Sequence, residues 1–186
     1  MPYLAGGVSL AVLAVGSVAP GLLTVFTDRF SRVFPDYRER IARHEGAHFL
    51  VGYLLGVPVA GYSLDLGKEH TDFVEARMET RIIQGRLSEP EVNLLAAVAM
   101  AGPAAEALAF PEVVGQSADL QLLGRIMQRS EVKIPDAAQQ NLTRWGCWTA
   151  VNLLKEYSAE FDALREAMAS GATVPECVAA IEGAKS

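Results

Sequence analysis

Hydrophobic and polar positions change period several times along the chain, and each change marks a predicted element. From Ile41 to Leu55 the positions Ile41, His44, Ala47 or His48, Val51, Leu54 and Leu55 return every three or four residues, as one face of a helix requires. Gly56 and Pro58 end that run. In "VPVAGYSLDLG" the alternation shortens, with Val59, Tyr62, Leu64 and Leu66 apolar, which predicts a short strand ending at Gly67 with an edge open to pairing. Residues 72 to 87 return to a helical period through Phe73, Arg77, Met78, Ile82 and Ile83, predicting an amphipathic helix.

"LSEPEVNLLAAVAMAGPAAEALAF" has the marks of a helix start, with Ser88 as cap and Pro90 and Glu91 in the first turn. Leu94 to Ala109 is nearly all apolar, so a central helix buried on most sides is expected, bent or divided by Pro103. Glu106 within this run favours a core helix over a membrane span. A Gly-bearing loop then leads to a helix beginning near Ser117 and carrying Leu120, Leu123, Ile126 and Met127. Two more helices follow, the first with Leu142, Trp145, Trp148, Val151 and Leu154 as its expected inner stripe, the Trp pair being read as core packing. Gly171 and Pro175 punctuate the tail. The inventory is mainly α with one short strand or hairpin region, and it holds no internal repeat.

Composition changes this picture in three places. A formal charge of −6 and scattered basic residues offer no field to collect phosphates, which argues against nucleic acid as a partner. Cys147 and Cys177 are too few and too apolar in setting for a disulfide framework, so buried thiols are expected. Residues 3 to 27 run without a charge, long enough to cross a bilayer, although Gly6, Gly7, Gly16, Pro20 and Gly21 weaken the segment. A membrane-embedded segment, a buried helix or hairpin, and a trimmed targeting remnant all remain open for it. Arg29, Arg32, Arg38, Arg40 and Arg43 follow closely and set the orientation expected under the positive-inside rule. Residues 1–35 thus separate from a helical domain over 36–186.

The candidate chemistry lies in the first helix. His44 and His48, four residues apart, present two imidazoles on one face, with Cβ atoms about 6 Å apart. Glu45 points about 100° away around the axis, beside such a site, where a carboxylate can take a proton from water. This is the H-E-x-x-H pattern, in which neutral imidazoles bind zinc and a separate base handles the proton. The same three residues also suit a partly buried polar cluster tied up in hydrogen bonds. A catalytic site needs a third ligand, and His70, Asp65, Asp72, Glu106, Asp119 and Glu112 are all candidates on the residues alone.

"RHEGAHFLVGYLLG" resembles the zinc helix of the FtsH-type ATP-dependent metallopeptidases. "AAVAMAGPAAEALAF" is similar to that family's "LLGGRAAEEL" segment, with Gly102, Ala104, Ala105, Glu106 and Leu108 in step. "VVGQSADLQLLGRIM" resembles the family's loop and helix that carry an aspartate ligand, which falls on Asp119. These blocks cover most of residues 36 to 155. The resemblance implies a helical peptidase domain in which His44, His48 and Asp119 bind Zn2+ and Glu45 activates water. It also implies that Glu106 supports the imidazoles and that the extended edge of Val59, Tyr62, Leu64 and Leu66 pairs with a polypeptide substrate.

The departures are specific. No G-x-x-x-x-G-K-[ST] phosphate loop occurs, so ATP-dependent unfolding is not expected from this chain. Pro103 stands where the family usually has Arg, and Ala107 replaces its second Glu. Across "FPDYRERIARHEGAHFLVGYLLG", "GQSADL" and "QQNLTRW" the chain is most similar to a small ATPase-lacking branch of plants, algae and cyanobacteria. That branch implies a plastid or cyanobacterial membrane setting, thylakoid or envelope, and a sequence that is mature, truncated or cyanobacterium-like. Two activities follow as expectations: zinc-dependent peptide hydrolysis, or a non-catalytic membrane-associated partner or regulator of an FtsH-type protease, with homo-oligomers as an additional expectation.

Overall fold

A computed structural model describes residues 35–65, 69–73 and 86–184. Helix α1 (Pro35–Leu54) leads into a hairpin of β1 (Val59–Ser63) and β2 (His70–Phe73), followed by α2 (Glu89–Ala99), α3 (Ala101–Ala109), α4 (Gln116–Gln128), α5 (Asp136–Glu156), α6 (Ser158–Ala169) and α7 (Val174–Gly183). Among the described residues the fold is therefore mainly helical, with one antiparallel two-stranded hairpin.

Helix α1 is enclosed on most sides, and its Ala47, Phe49, Leu50 and Val51 are fully buried. It packs against α3, α6 and the hairpin. Gly56, at φ 78°, ends its last turn in the left-handed region that favours glycine. The main apolar cluster joins these α1 residues to Ala101, Ala104 and Ala105 of α3, Ala150 and Leu154 of α5, Leu164 and Met168 of α6, and Cys177 and Ile181 of α7. Two smaller clusters sit apart from it, around α2: Leu87, Val92, Leu95 and Ile126 form one, and Ala96, Ala99, Met100 and Leu123 the other. Helix α4 thus joins the core through α2, and α1 through α3 and α6.

The α2–α3 pair is the predicted central helix, divided as Pro103 requires. The break falls at Met100, three residues ahead of the proline, with φ −90° and ψ 1°. A proline ring would clash with the carbonyl four residues back in a continuous helix. The new helix restarts with the Ala104 N–H on the Met100 carbonyl at 3.0 Å, and Pro103 lies in its first turn, where a missing N–H costs nothing. At the head of α2 the Ser88 N–H donates to Glu91 Oε2 at 2.9 Å, completing the expected cap. Among the described residues this pair, Glu89–Ala109, is the one helical stretch long and apolar enough to cross a membrane. Most of its apolar window, 72%, is buried within the fold.

Two expectations need correction. Asp72 and Phe73, placed in a helix by their period, belong to β2, paired with Gly61 and Val59. Leu87, at the other end of that predicted helix, bridges Ser130 in an extended conformation, its N–H on the Arg129 carbonyl at 3.1 Å. Pairing partners distant in sequence outweigh the local period; residues 74–85, like 1–34, lie outside the described residues. The second correction concerns α5. Its inward residues are Gly146, Ala150 and Leu154, while Trp145 and Trp148 are 43% and 65% exposed. A Cβ on Gly146 would stand 2.6 Å from the Ala96 carbonyl oxygen, so α2 and α5 meet backbone to backbone. That approach demands the smallest side chain inside and turns the indoles out.

Candidate metal centre

His44 and His48 occupy one face of α1, and their Nε2 atoms are 3.2 Å apart. Asp119, in the first turn of α4, reaches both: Oδ2 is 3.1 Å from His44 Nε2 and Oδ1 is 3.3 Å from His48 Nε2. Four-coordinate zinc with nitrogen and oxygen ligands about 2.0–2.2 Å away has neighbouring ligand atoms about 3.3–3.6 Å apart. The three side chains converge at nearly that spacing. Asp119 Oδ2 is buried, and while the His44 Nε2 beside it keeps its lone pair it receives no hydrogen-bond donor, an expensive arrangement for a carboxylate and one that a cation would relieve. Together these residues form a cluster able to coordinate a divalent metal ion.

The far side of each ring fixes its orientation. His48 Nδ1 is 2.8 Å from the Val98 carbonyl oxygen, which can only accept, so Nδ1 carries the proton and Nε2 keeps its lone pair for the site. This carbonyl also accepts a backbone N–H at the end of α2, so its two lone pairs serve the helix and the imidazole together.

His44 is held differently. Its Nδ1 is 2.8 Å from Glu106 Oε1, and Glu106 is almost fully buried. Glu106 also receives the Val114 N–H at 2.9 Å, the Gly115 N–H at 3.1 Å and Arg40 Nη1 at 2.5 Å. Arg40 in turn donates to the Glu112 carbonyl at 2.8 Å and lies over the Phe110 ring, 4.1 Å from its centroid. One carboxylate thus orients His44 and anchors the loop that delivers Asp119. Space is equally restricted: a Cβ on Gly102 would fall 2.3 Å from His44 Nε2, and one on Gly115 2.8 Å from His44 Cε1. The imidazole is held between two glycines.

Electrostatics follow from this crowding. Burial disfavours a charged His44, but the Asp119, Glu106 and Glu45 carboxylates outweigh it and raise its pKa above the ordinary value. Burial likewise opposes charge on Glu106, yet the Val114 N–H, Arg40 and His44 hold its pKa below the usual carboxylate range. For Asp119, too, burial is overcome by the two imidazoles, and its pKa is strongly lowered. Both acids are carboxylates at neutral pH, as metal ligation and imidazole support require.

Glu45 is buried and lines the same cleft as the three ligands, a cavity of about 450 Å³. Thr71 donates its hydroxyl to Glu45 Oε2 at 2.9 Å, and the same hydroxyl is 3.1 Å from the Glu45 carbonyl oxygen. Thr71 belongs to β2, and Glu69, His70 and Thr71 form one wall of the cleft; Val114, Ala118 and Leu122 contribute apolar surface elsewhere on its lining.

The other candidate residues fall elsewhere. Val59, Tyr62 and Leu64 pack against the main apolar cluster, and Tyr62 donates to the Ala172 carbonyl at 2.5 Å. Burial, with the Cys177 and Glu176 charges, pushes the Tyr62 phenol up to about 12, so it stays a donor. Tyr62 and Leu64 border a separate cavity of about 610 Å³ with Arg38, Asp65 and the α6–α7 turn, whereas the strand that lines the metal cleft is β2. Leu66 and the Asp72 side chain lie outside the described residues. Glu112 offers its carbonyl to Arg40, and His70 stands on the cleft wall. Sequence reasoning missed Thr71, Val98 and Gly115. The glycine in the loop ahead of Asp119 was the one signal for any of them.

No protein-family model matches the chain, and no curated protein matches it.

Proposed function

We propose that the cluster is the zinc centre of an FtsH-like metallopeptidase domain that hydrolyses peptide bonds in unfolded or flexible chains. The observation that carries this reading is the convergence of His44 Nε2, His48 Nε2 and an undonated Asp119 oxygen, with both Nδ1 atoms turned onto acceptors. A bound zinc ion would supply Lewis acidity to a peptide carbonyl and acidify a water molecule. Thr71 holds one Glu45 oxygen in place, and Glu45 is the residue that would accept a proton from such a water and pass it to the leaving amine. Among the described residues β2 pairs with β1 alone, so its other edge is the place for an extended substrate beside the ligands. Without a phosphate loop the chain does no unfolding of its own. A plastid or cyanobacterial membrane setting belongs to the same proposal and rests on the motif resemblance together with the uncharged stretch 3–27.

Zinc content and hydrolysis of casein test the reading in the intact chain and in Glu45→Gln. One zinc per chain in both, with hydrolysis reduced at least about 100-fold in the variant, is the expected result. Zinc retained with no hydrolysis of any unfolded substrate overturns the catalytic reading. The absent phosphate loop favours a second role, as a non-catalytic partner of an FtsH-type protease, and co-purification with such a hexamer is its test.

A further inference from the structure

On the far side of the molecule's helical layer, α5 presents a surface that its fold does not use. Asn141, Arg144, Trp145, Trp148, Asn152 and Lys155 are all exposed. At about 100° per residue they share one arc of about 100°, running for about 21 Å along the helix. The two Trp side chains lie at its centre, three residues apart and therefore adjacent. Between Asp136 and Glu156 the only charged residues are Arg144 and Lys155. In a chain of net charge −6 this is a locally cationic strip. Arg144 donates to the Asn141 side-chain oxygen at 3.2 Å, a neutral partner that leaves its charge available.

We propose that this face of α5 docks onto an anionic lipid surface. Indole is the side chain suited to the boundary between acyl chains and headgroups, apolar in its body and polar at its N–H. Arg and Lys beside it meet lipid phosphate while their stems lie along the apolar layer. A convex helix face fits a planar surface better than a single peptide. The orientation also suits the cleft: Gly146 of α5 abuts the Ala96 carbonyl, whereas His48 takes the Val98 carbonyl two residues on, about 200° around α2. Docking α5 would leave the metal cleft turned to the aqueous side. The inference is independent of hydrolysis.

Trp145 and Trp148 are the only two Trp residues in the chain, so tryptophan emission excited to the red of tyrosine absorption reports on this face alone, whatever else binds the lipid. The full chain is titrated with phosphatidylcholine vesicles with and without phosphatidylglycerol, including acyl-brominated lipid. The expected result is a blue shift and bromine quenching that grow with phosphatidylglycerol content. Arg144→Gln and Lys155→Gln should each weaken the fluorescence-detected docking roughly fivefold, with an unchanged melting midpoint. Emission that stays solvent-like with vesicles bound, or quenching indifferent to anionic lipid, overturns the proposal. A blue shift that follows protein concentration without lipid also overturns it, assigning the face to a second copy of the chain.

Discussion

The two imidazoles of the cluster lie one turn apart on one helix, yet two different regions of the molecule hold them. His48 rests on a backbone carbonyl at the end of α2, a neutral partner with no side-chain freedom. His44 is held by a carboxylate that also serves Arg40 and two loop N–H groups, with a glycine on either side of the ring. The first arrangement depends on where a helix stops. The second depends on charge and on free volume. Damage to the His44 side should therefore be larger, and sensitive to pH.

The steepest loss is expected from Gly102→Ala, whose new methyl would stand 2.3 Å from His44 Nε2 and force the ring to move. Zinc affinity, read by competition with a chromophoric chelator, should fall at least about 100-fold; near-normal affinity would break the contrast. Glu106→Gln keeps the shape and removes the charge, and should cost roughly 10–100-fold, with faster proteolysis around residues 110–115. Pro103→Ala addresses the His48 side, because straightening the break at Met100 would shift the Val98 carbonyl that fixes the ring. Its cost should be about tenfold or less, and a loss as large as that of Glu106→Gln would make the two regions equivalent.

Acidity sharpens the same contrast. The raised His44 pKa means that, without metal, its ion pairing stabilises the protein fully below its unfolded value and is lost as pH rises through the folded one. The lowered Asp119 contributes above its own unfolded value and is lost only as strong acid protonates it. Zinc must displace the His44 proton, so its stabilisation grows with pH. Thermal midpoints between about pH 6 and 8 should fall in chelator while the zinc-induced increment rises; parallel slopes would contradict this. The smallest effect is expected at Gly124, whose Cβ position is open: Gly124→Ala should add about 0.5–1 kcal/mol of stability and leave zinc affinity unchanged.

Much of this was legible in the sequence where local rules decide. The helical spacing of His44 and His48, the Ser88 cap and the division at Pro103 each follow from a few adjacent residues. Asp119 was one candidate among several until the block "GQSADL" was set beside the FtsH pattern, because distance in space leaves no periodicity in the chain. The Trp stripe failed for a different reason. Period alone sends large apolar residues inward, whereas contact between α2 and α5 selects Gly146, and α5 buries only the face that carries it. Asp72 and Phe73 failed because strand pairing with β1 is non-local. Thr71 carried no signal, since a lone hydroxyl in a strand gains its role only from the carboxylate folded against it.

The three ligands straddle a seam. Helix α1 belongs to the main apolar cluster, while the buried residues of α4 belong to the smaller ones around α2. An ion held at once by His44, His48 and Asp119 would act as a rivet through both halves. Starved of zinc, the protein should begin to come apart there, along the line where two bases face an undonated acid, before either half melts.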